Sequence, residues 1–400
     1  MNGSICCSHK NLLAKRRVTF MAQPIRIGFF SVQNYMDKNA FSGTIYYMHK
    51  ALRKRNIKLV NLGLPRRYFQ WRKLLSYAEK VGFVRLKNSQ LGEQYEKFIT
   101  VVQRQLKSTP CDLLFAPVAS KELSFLETNL PIVFLSDATP KLLHDTYKIF
   151  LTEEDFRTAS NVETAVLSKA NKIVYSSGWA AHSAVCDYGA AANKINVVPF
   201  GANLDIVPDV NEIRQKYRHQ RCRLLFIGKN WQRKGADVAF QTLVSLLKMG
   251  IDAELIMVGT VPPAEIQHER LTVIPFLNKN VPQQQEKLNK LLLESHFLLL
   301  PTRADCSPIV ICEANAYGIP VITSDVGGIP AIVKNGRNGY MLPLSASSHE
   351  YADLIATNFV NKDAYEQLVR LSREEYDTRL NWDKWAENLH QIMVNTLEGV

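Results

Sequence analysis

The residues best suited to chemistry are two carboxylates, Asp305 and Glu313, which lie eight positions apart around the start of an expected helix. A helix N-terminus attracts anions through its free amides and its macrodipole. Asp305, just before the helix, could therefore be a ligand-binding group or a simple capping charge. Glu313 lies in an apolar segment, where an acid usually has a partner. A ribose diol fits that description, because a carboxylate can accept hydrogen bonds from two hydroxyls.

The helix that carries the second carboxylate is delimited by its flanking residues. Ser307 suits the N-cap position, and Pro308 suits the first helical position. Gly318, with Pro320 two residues later, suits a helix end. These signals predict a helix over about Pro308–Tyr317, with the acid in its second turn.

A short apolar strand, Val321–Ser324, and a Gly327-Gly328 loop follow that helix. Glycines let the main chain approach a ligand closely. In an open α/β sheet, ligands lie outside the carboxyl ends of the strands, where this loop is expected. The loop alone is weak evidence for a binding site.

A second group of candidate residues lies in the segment GKNWQRKGAD, Gly228–Asp237, between an apolar strand and a helical pattern. Arg233 and Lys234 fall in this strand-to-helix loop, at the same predicted edge of the sheet. Two fixed cations suit a diphosphate leaving group. Taken alone, they are better explained as solvated loop charges. The acids further along the same sheet favour diphosphate binding.

The elements that position these residues follow an α/β pattern, in which apolar runs alternate with amphipathic helical stretches. The pattern restarts near Gly201, and 400 residues suit two domains. We predict an extension over 1–20, expected to be disordered, domains over 21–200 and 201–380, and a terminal helix over 381–400. The predicted strands are Ile25–Phe30, Lys58–Leu62, Leu113–Pro117, Ile132–Leu135, Lys172–Ser176, Ile195–Pro199, Leu224–Ile227, Ala253–Val258, Thr272–Pro275, Phe297–Pro301 and Val321–Ser324, and the predicted helices include Thr44–Arg55, Gly235–Met249 and Trp382–Leu397.

Composition places the chain among soluble globular proteins, with 46% hydrophobic and 22% charged residues. It has no apolar run of about 18 residues that could span a membrane. The N-terminus lacks the apolar core of a signal peptide. The seven cysteines show no metal-type spacing, which is typical of reduced thiols in a cytosolic protein. These observations predict a cytoplasmic location.

The net charge of +12 is confined to the first half of the chain. Residues 1–205 carry 28 basic and 15 acidic side chains, whereas residues 206–400 carry 21 and 22. Such an excess indicates either an anionic partner or a solvated basic face. The segment RRYFQWRKLL, 66–75, mixes cations with aromatics, which suits a membrane interface, nucleic acid or an amphipathic helix packed on the sheet.

Together these segments resemble family 4 of the retaining glycosyltransferases (group 1), whose members have the GT-B fold. The resemblance covers about Arg26–Leu397 and is strongest over Asp305–Val333. GKNWQRKGAD resembles the family's diphosphate loop, and VVPFGANLD resembles its entry into the second domain. The terminal helix with Trp382 and Trp385 resembles the one that crosses back onto the first domain. The resemblance implies two Rossmann-like domains that face each other across a cleft.

The resemblance also implies roles for the matching positions. Arg233 and Lys234 would neutralise the diphosphate leaving group. Glu313 would hold the ribose, and Asp305 would contact the transferred sugar. The other implied donor contacts are the loop beginning at Gly228, the amides around Ser307 and Ile309, the main chain near Phe276 and Leu277, and Gly43 from across the cleft.

The chain departs from the family pattern at three places. Asp305 stands where the family usually has Glu, so its reach is one methylene shorter. Pro308 follows where glycines are common, and it has no N–H to offer a phosphate. Where many members have a His after the strand Ile132–Leu135, this chain has Asp137. That aspartate would serve either as the polar substitute or as the cap of the next helix. His144 lies farther along.

The resemblance implies an enzyme that uses a UDP- or GDP-linked sugar without a metal or a cofactor. The departures also keep open a catalytically silent GT-B protein that binds nucleotide sugars, and a GT-B epimerase is a further alternative. Of the anionic partners, the resemblance favours a membrane surface or a lipid-linked acceptor over nucleic acid, since several members act on lipids at the cytosolic face. Peripheral association with the inner membrane face is therefore expected.

Overall fold

The computed structural model describes residues 24–63, 88–150, 152–218 and 220–399. The predicted extension over 1–20 and the basic aromatic segment 66–75 lie outside the described residues. Within the described ranges, no helix combines the length and the apolar character needed to cross a membrane.

The first half of the chain forms a six-stranded parallel sheet in the order β2-β1-β3-β4-β5-β6. Its strands are β1 Ile25–Phe30, β2 Ile57–Leu62, β3 Leu113–Pro117, β4 Ile132–Ser136, β5 Lys172–Tyr175 and β6 Ile195–Val197. The described helices between them are α1 Thr44–Leu52, α2 Asn88–Ser108, α3 Ser120–Ser124, α4 Pro140–Tyr147, α5 Glu153–Lys169 and α6 Gly178–Cys186. β3 and β4 are buried along their whole length, because helices cover both faces of a parallel sheet.

The second half forms another six-stranded parallel sheet, in the order β12-β11-β10-β7-β8-β9. Its strands are β7 Cys222–Ile227, β8 Ala253–Val258, β9 Leu271–Ile274, β10 Phe297–Leu300, β11 Val321–Ser324 and β12 Gly339–Leu342. The described helices of this half are α7 Val210–Arg214, α8 Ala236–Lys248, α9 Pro282–Glu294, α10 Ile309–Ala316, α11 Ser348–Val360, α12 Lys362–Thr378 and α13 Trp382–Glu398. The predicted α/β fold class is confirmed, and most strand ends lie within two residues of the predicted ones.

The last helix, α13, packs into the core of the first domain. Trp385 and Leu389 are fully buried in one apolar cluster with Met48 of α1 and Phe115 of β3. The Trp385 ring lies 6.2 Å from the Phe115 ring, measured between centroids. The chain therefore returns to its first domain after completing the second sheet, and the carboxyl ends of both sheets face one cleft.

Candidate active site

The cleft contains a cavity of about 500 Å³ that is lined by both domains. It brings together ten of the eleven predicted site residues, namely Asp137, Gly228, Arg233, Lys234, Phe276, Leu277, Asp305, Ser307, Ile309 and Glu313. Gly43 does not line the cavity, although its neighbours Ser42 and Thr44 do. The side chains come from the carboxyl ends of strands in both sheets, which is the usual position of ligands in such folds.

The first carboxylate, Asp305, forms an ion pair with Lys234. Asp305 is 7% exposed and follows β10, whereas Lys234 precedes α8, so neighbouring strands of one sheet place the pair. A Cβ on Gly228 would lie 2.8 Å from the Lys234 side chain, so glycine leaves room for that side chain to reach the acid. The two opposite charges largely offset one another.

The Gly327-Gly328 loop supports this acid and is not among the residues that line the cavity. Gly328 donates its N–H to the carbonyl oxygen of Asp305 at 3.0 Å. A Cβ on Gly327 would lie 2.1 Å from the same oxygen, and one on Gly328 would lie 1.8 Å from the Cys306 oxygen. Because no side chain fits there, the glycines allow main chain to pack on main chain. The close approach that the sequence led us to expect at these glycines is therefore made by main chain of the same domain.

The second carboxylate, Glu313, lies on α10, is 3% exposed and forms an ion pair with Lys279. Lys279 precedes α9 and also lines the cavity. Sequence reasoning missed this lysine, since nothing in its local pattern distinguishes it from other loop cations. A buried carboxylate with a charged partner agrees with the expectation that Glu313 is not an isolated acid.

The start of α10 differs from the prediction in detail. The helix begins at Ile309, and Pro308 occupies the N-cap position with extended backbone angles. The Ser307 hydroxyl does not cap the helix but donates to the Ser176 hydroxyl of the first domain at 2.6 Å. The predicted helix end is confirmed, because Gly318 adopts the left-handed conformation at φ +62°.

Arg233 is held by contacts from both domains. Its Nη1 donates to the carbonyl oxygen of Ala304 at 2.8 Å, and its guanidinium lies 4.9 Å from the centre of the Tyr147 ring. The Tyr147 hydroxyl in turn accepts the N–H of Cys306 at 2.9 Å. In the described part of the chain, no carboxylate lies within ion-pair distance of Arg233. This cation is therefore available for an anionic ligand.

Asp137 faces the same cavity from the first domain. Burial raises the pKa of its carboxyl to about 6, and the negative charge of Asp305 acts in the same direction. The alternative that Asp137 caps the next helix is wrong, because Thr139 occupies that position and its hydroxyl accepts the N–H of Leu142. His144 does not line the cavity, and its ring stacks on Phe156 at 4.3 Å.

A loop of the second domain contacts the first domain beside Phe276 and Leu277. Phe276 is half exposed, and the Lys229 ammonium lies 5.5 Å from the centre of its ring. Nearby, Asn278 accepts a hydrogen bond from the Asn39 side chain at 2.9 Å, and Asn280 accepts the N–H of Lys38 at 3.2 Å. The loop between β9 and α9 therefore joins the two walls of the cleft.

Three consecutive left-handed residues precede α1 on the first-domain wall. Phe41, Ser42 and Gly43 have φ values of +48°, +56° and +88°. This conformation suits glycine but costs an L-residue on the order of 1 kcal/mol. Side chains at such angles persist only where the surrounding structure holds them, and such sites cluster near ligands.

The sequence of this chain is similar to those of known glycosyltransferases and to a spore coat protein. Residues 221–359 match the family model described as Glycosyl transferases group 1. A D-inositol 3-phosphate glycosyltransferase of Catenulispora acidiphila is 24% identical over 253 residues, which cover 59% of this chain and 60% of that protein. Spore coat protein SA of Bacillus subtilis is 25% identical over 190 residues, which cover 44% of this chain and 49% of that protein. The chain thus spans about half to three fifths of the length of these relatives.

Solved structures extend the likeness to nearly the whole chain. Sucrose-phosphate synthase from Thermosynechococcus elongatus superposes with a TM-score of 0.67 at 16% identity and covers 94% of this chain and 100% of that one. The Anabaena protein HepE in complex with UDP-glucose superposes with a TM-score of 0.62 at 15% identity, with coverage of 93% and 100%. The predicted resemblance to group 1 glycosyltransferases is confirmed, and the fold is GT-B.

Proposed function

We propose that this protein transfers a sugar from a nucleotide diphosphate to an acceptor, with retention of the anomeric configuration and without a metal. One observation carries the proposal: a cation without a carboxylate partner among the described residues, Arg233, shares a cavity with the buried acids Asp305 and Glu313. In this proposal Arg233 binds the diphosphate, Asp305 binds the transferred sugar and Glu313 binds the ribose. The complexes of HepE with UDP and UDP-glucose support a nucleotide-sugar donor.

In the proposed reaction, the bond between the anomeric carbon and the diphosphate oxygen breaks, and a bond to the acceptor oxygen forms on the same face. The acceptor proton passes to a phosphate oxygen of the leaving group. Arg233 and Lys234 neutralise the charge that develops on the diphosphate, which is the usual source of rate enhancement in such transfers. Asp305 exchanges its contact with Lys234 for hydroxyls of the sugar, and Glu313 accepts from the ribose.

The proposal is tested with purified protein and a panel of UDP- and GDP-linked sugars. We expect slow hydrolysis of one donor in the absence of an acceptor. We also expect UDP or GDP to raise the melting temperature, because a ligand that binds only the folded state stabilises it. If neither nucleoside diphosphate raises the melting temperature, the nucleotide site is refuted. Binding without hydrolysis or transfer would favour the catalytically silent alternative.

We further propose that the acceptor lies at an anionic membrane surface, which would make the protein peripheral at the cytoplasmic face. The basic excess of residues 1–205 supports this proposal. Clustered cations bind anionic lipids in a salt-dependent way. Co-sedimentation with phosphatidylserine vesicles at low salt, lost at high salt and absent with neutral vesicles, is the expected result. No binding at low salt would refute it.

A further inference from the structure

The left-handed turn Phe41–Gly43 borders the cavity, and Phe41 and Ser42 line it. Two of its three residues carry side chains that disfavour this backbone, so local preference does not explain the turn. Its conformation must come from contacts made elsewhere in the chain. Among the described contacts, Phe41 packs against the core of the first domain, and one buried side chain, Asn203, donates a hydrogen bond to the main chain of the turn.

Asn203 lies in the linker between the two sheets and is 0% exposed. Its Nδ2 donates to the carbonyl oxygen of Ser42 at 2.8 Å, and its Oδ1 accepts the indole N–H of Trp382 at 2.9 Å. The indole can only donate, so the orientation of the amide is fixed. One side chain thus joins three segments that are far apart in the sequence.

The turn leaves no room for a side chain at Gly43 beside this amide. A Cβ on Gly43 would lie 2.8 Å from the carbonyl oxygen of Lys38 and 3.3 Å from the Asn203 nitrogen. Asp205, two residues further along the linker, pairs with Lys38 at 2.5 Å and with Lys50 at 2.6 Å. The linker therefore holds both sides of the turn.

The linker is itself fixed to α13. Ala202 donates its N–H to the carbonyl oxygen of Leu380 at 3.0 Å. A Cβ on Gly201 would lie 2.4 Å from the main-chain nitrogen of Trp382, so only glycine permits this approach. The Phe200 ring stacks on the Trp382 ring at 5.9 Å. A shift of α13 would consequently be transmitted through Asn203 to the turn.

We propose that Asn203 is a positioning residue that holds the Phe41–Gly43 turn in its left-handed form and couples it to the crossing helix. This proposal rests on the proposed function in one respect, namely that the turn meets the donor diphosphate from across the cleft. The groups that would bind the nucleotide, Arg233, Lys234 and Glu313, lie on the opposite wall. Loss of Asn203 should therefore impair turnover more than nucleotide binding.

The deciding variant is Asn203→Asp, which has the same shape. It can still accept from Trp382, but it loses the donor to Ser42 and sets a carboxylate oxygen against a carbonyl oxygen. We expect faster amide hydrogen exchange in peptides that cover residues 38–46. We also expect kcat, calculated from the concentration of folded protein, to fall about tenfold or more. The Kd for UDP should change less than about threefold. Trp382→Phe, which removes the other hydrogen bond together with part of a buried ring, should shift the exchange in the same direction by less.

The control is Asn358→Asp, since Asn358 is buried in α11 and donates to the carbonyl oxygen of Leu354 at 2.7 Å outside the cleft. It should lower the melting temperature without affecting the exchange of residues 38–46. Unchanged hydrogen exchange of the turn in Asn203→Asp would overturn the proposal. If the wild type is active, a kcat of Asn203→Asp equal to that of the wild type would also overturn it. If the wild type neither binds UDP nor hydrolyses a donor, the proposed function fails, and the exchange comparison alone still decides the role of Asn203.

Discussion

The ammonium group of Lys279 pairs with the carboxylate of Glu313 at the position proposed for the nucleotide ribose. Both side chains line the cavity, and the carboxylate is almost fully buried. A nucleotide that uses this acid must share it with the lysine or displace the lysine. The pair therefore links the stability of the ligand-free protein to its affinity for the proposed nucleotide-sugar donor.

We predict that Lys279→Met lowers the melting temperature of the empty protein, because it leaves a buried carboxylate without its charged partner. The nucleotide should compensate, since ribose hydroxyls can then donate to both carboxylate oxygens. The rise in melting temperature at saturating UDP should consequently exceed that of the wild type. Thermal denaturation with and without UDP measures both quantities. A smaller rise would mean that Lys279 contacts the nucleotide directly and would contradict the competition between them.

The Glu313→Gln variant tests the ribose contact itself. The amide keeps the size of the side chain but loses the charge and one acceptor site, so the hydrogen bonds to the ribose weaken. Charge-assisted hydrogen bonds contribute about 1.5–3 kcal/mol, so the Kd for UDP should rise by roughly 10-fold to 150-fold. Isothermal titration calorimetry measures the change. The ribose role would be ruled out by an unchanged Kd in a folded variant.

Substitutions of the two loop cations, Arg233 and Lys234, should differ in their effects on kcat and on stability. Arg233→Ala removes a cation that has no carboxylate partner among the described residues, so stability should change little. Its loss should lower kcat for donor hydrolysis by about 100-fold or more, because the developing charge on the diphosphate is no longer neutralised. Lys234→Ala should lower both kcat and the melting temperature, since it also leaves the buried Asp305 without its charged partner. Steady-state kinetics with a matched thermal scan distinguishes these outcomes, and an Arg233→Ala enzyme with normal kcat would exclude the proposed role.

The sequence predicted the elements that hold this site better than the contacts within it. The bounds of β3, β8 and β11 were predicted as observed, and β3 and β11 are buried along their whole length, as expected for strands covered on both faces. The acids Asp305 and Glu313 were found because local helix signals place them. Local sequence patterns determine which residues form a helix or a strand, and that helix or strand determines where its side chains lie.

The missed residues make contacts that no local pattern encodes. Tyr147 touches Arg233 and Cys306 from the other domain, and Lys279 and Asn203 reach partners 34 and more positions away. The glycines after β11 were recognised as permitting close approach, but sequence could not show that the approaching atoms are main chain. The choice at Asp137 depended on which of two nearby residues caps α4, and only the structure shows that it is Thr139.

Asp137 should make the free energy of unfolding of this protein depend on pH. Its pKa is raised to about 6 in the folded protein, above about 3.9 in an unfolded chain. The folded state therefore binds the extra proton between about pH 4 and pH 6, and the stabilising effect of that proton is lost as the pH rises through this window. Asp137→Asn should accordingly be more stable than the wild type at pH 7.5, and the difference should shrink below pH 6.

The same variant tests the catalytic role of Asp137. If the carboxylate faces the transferred sugar, kcat of the wild type should fall as the pH drops through 6. Asp137→Asn should lose about 100-fold in kcat and show no inflection near that pH. A wild-type profile that is flat between pH 5 and 8 would argue against a catalytic carboxylate at this position.

Lys216 should make stability depend on pH in the opposite sense. It is fully buried, its Nζ donates to the carbonyl oxygen of Tyr317 at 2.8 Å, and burial lowers its pKa to about 7. An unfolded chain keeps the proton up to about pH 10.4. Between these values the unfolded state binds more protons, so the free energy of unfolding should rise with pH.

Lys216→Met removes this titration and keeps most of the side-chain volume. The variant should be more stable than the wild type at pH 7, and the difference should narrow as the pH approaches 10. Urea denaturation at pH 7, 8.5 and 10 measures the difference, with Lys248→Met at an exposed position of α8 as the control for the loss of one lysine. A difference in the free energy of unfolding that stays constant with pH would contradict a neutral lysine in the folded core.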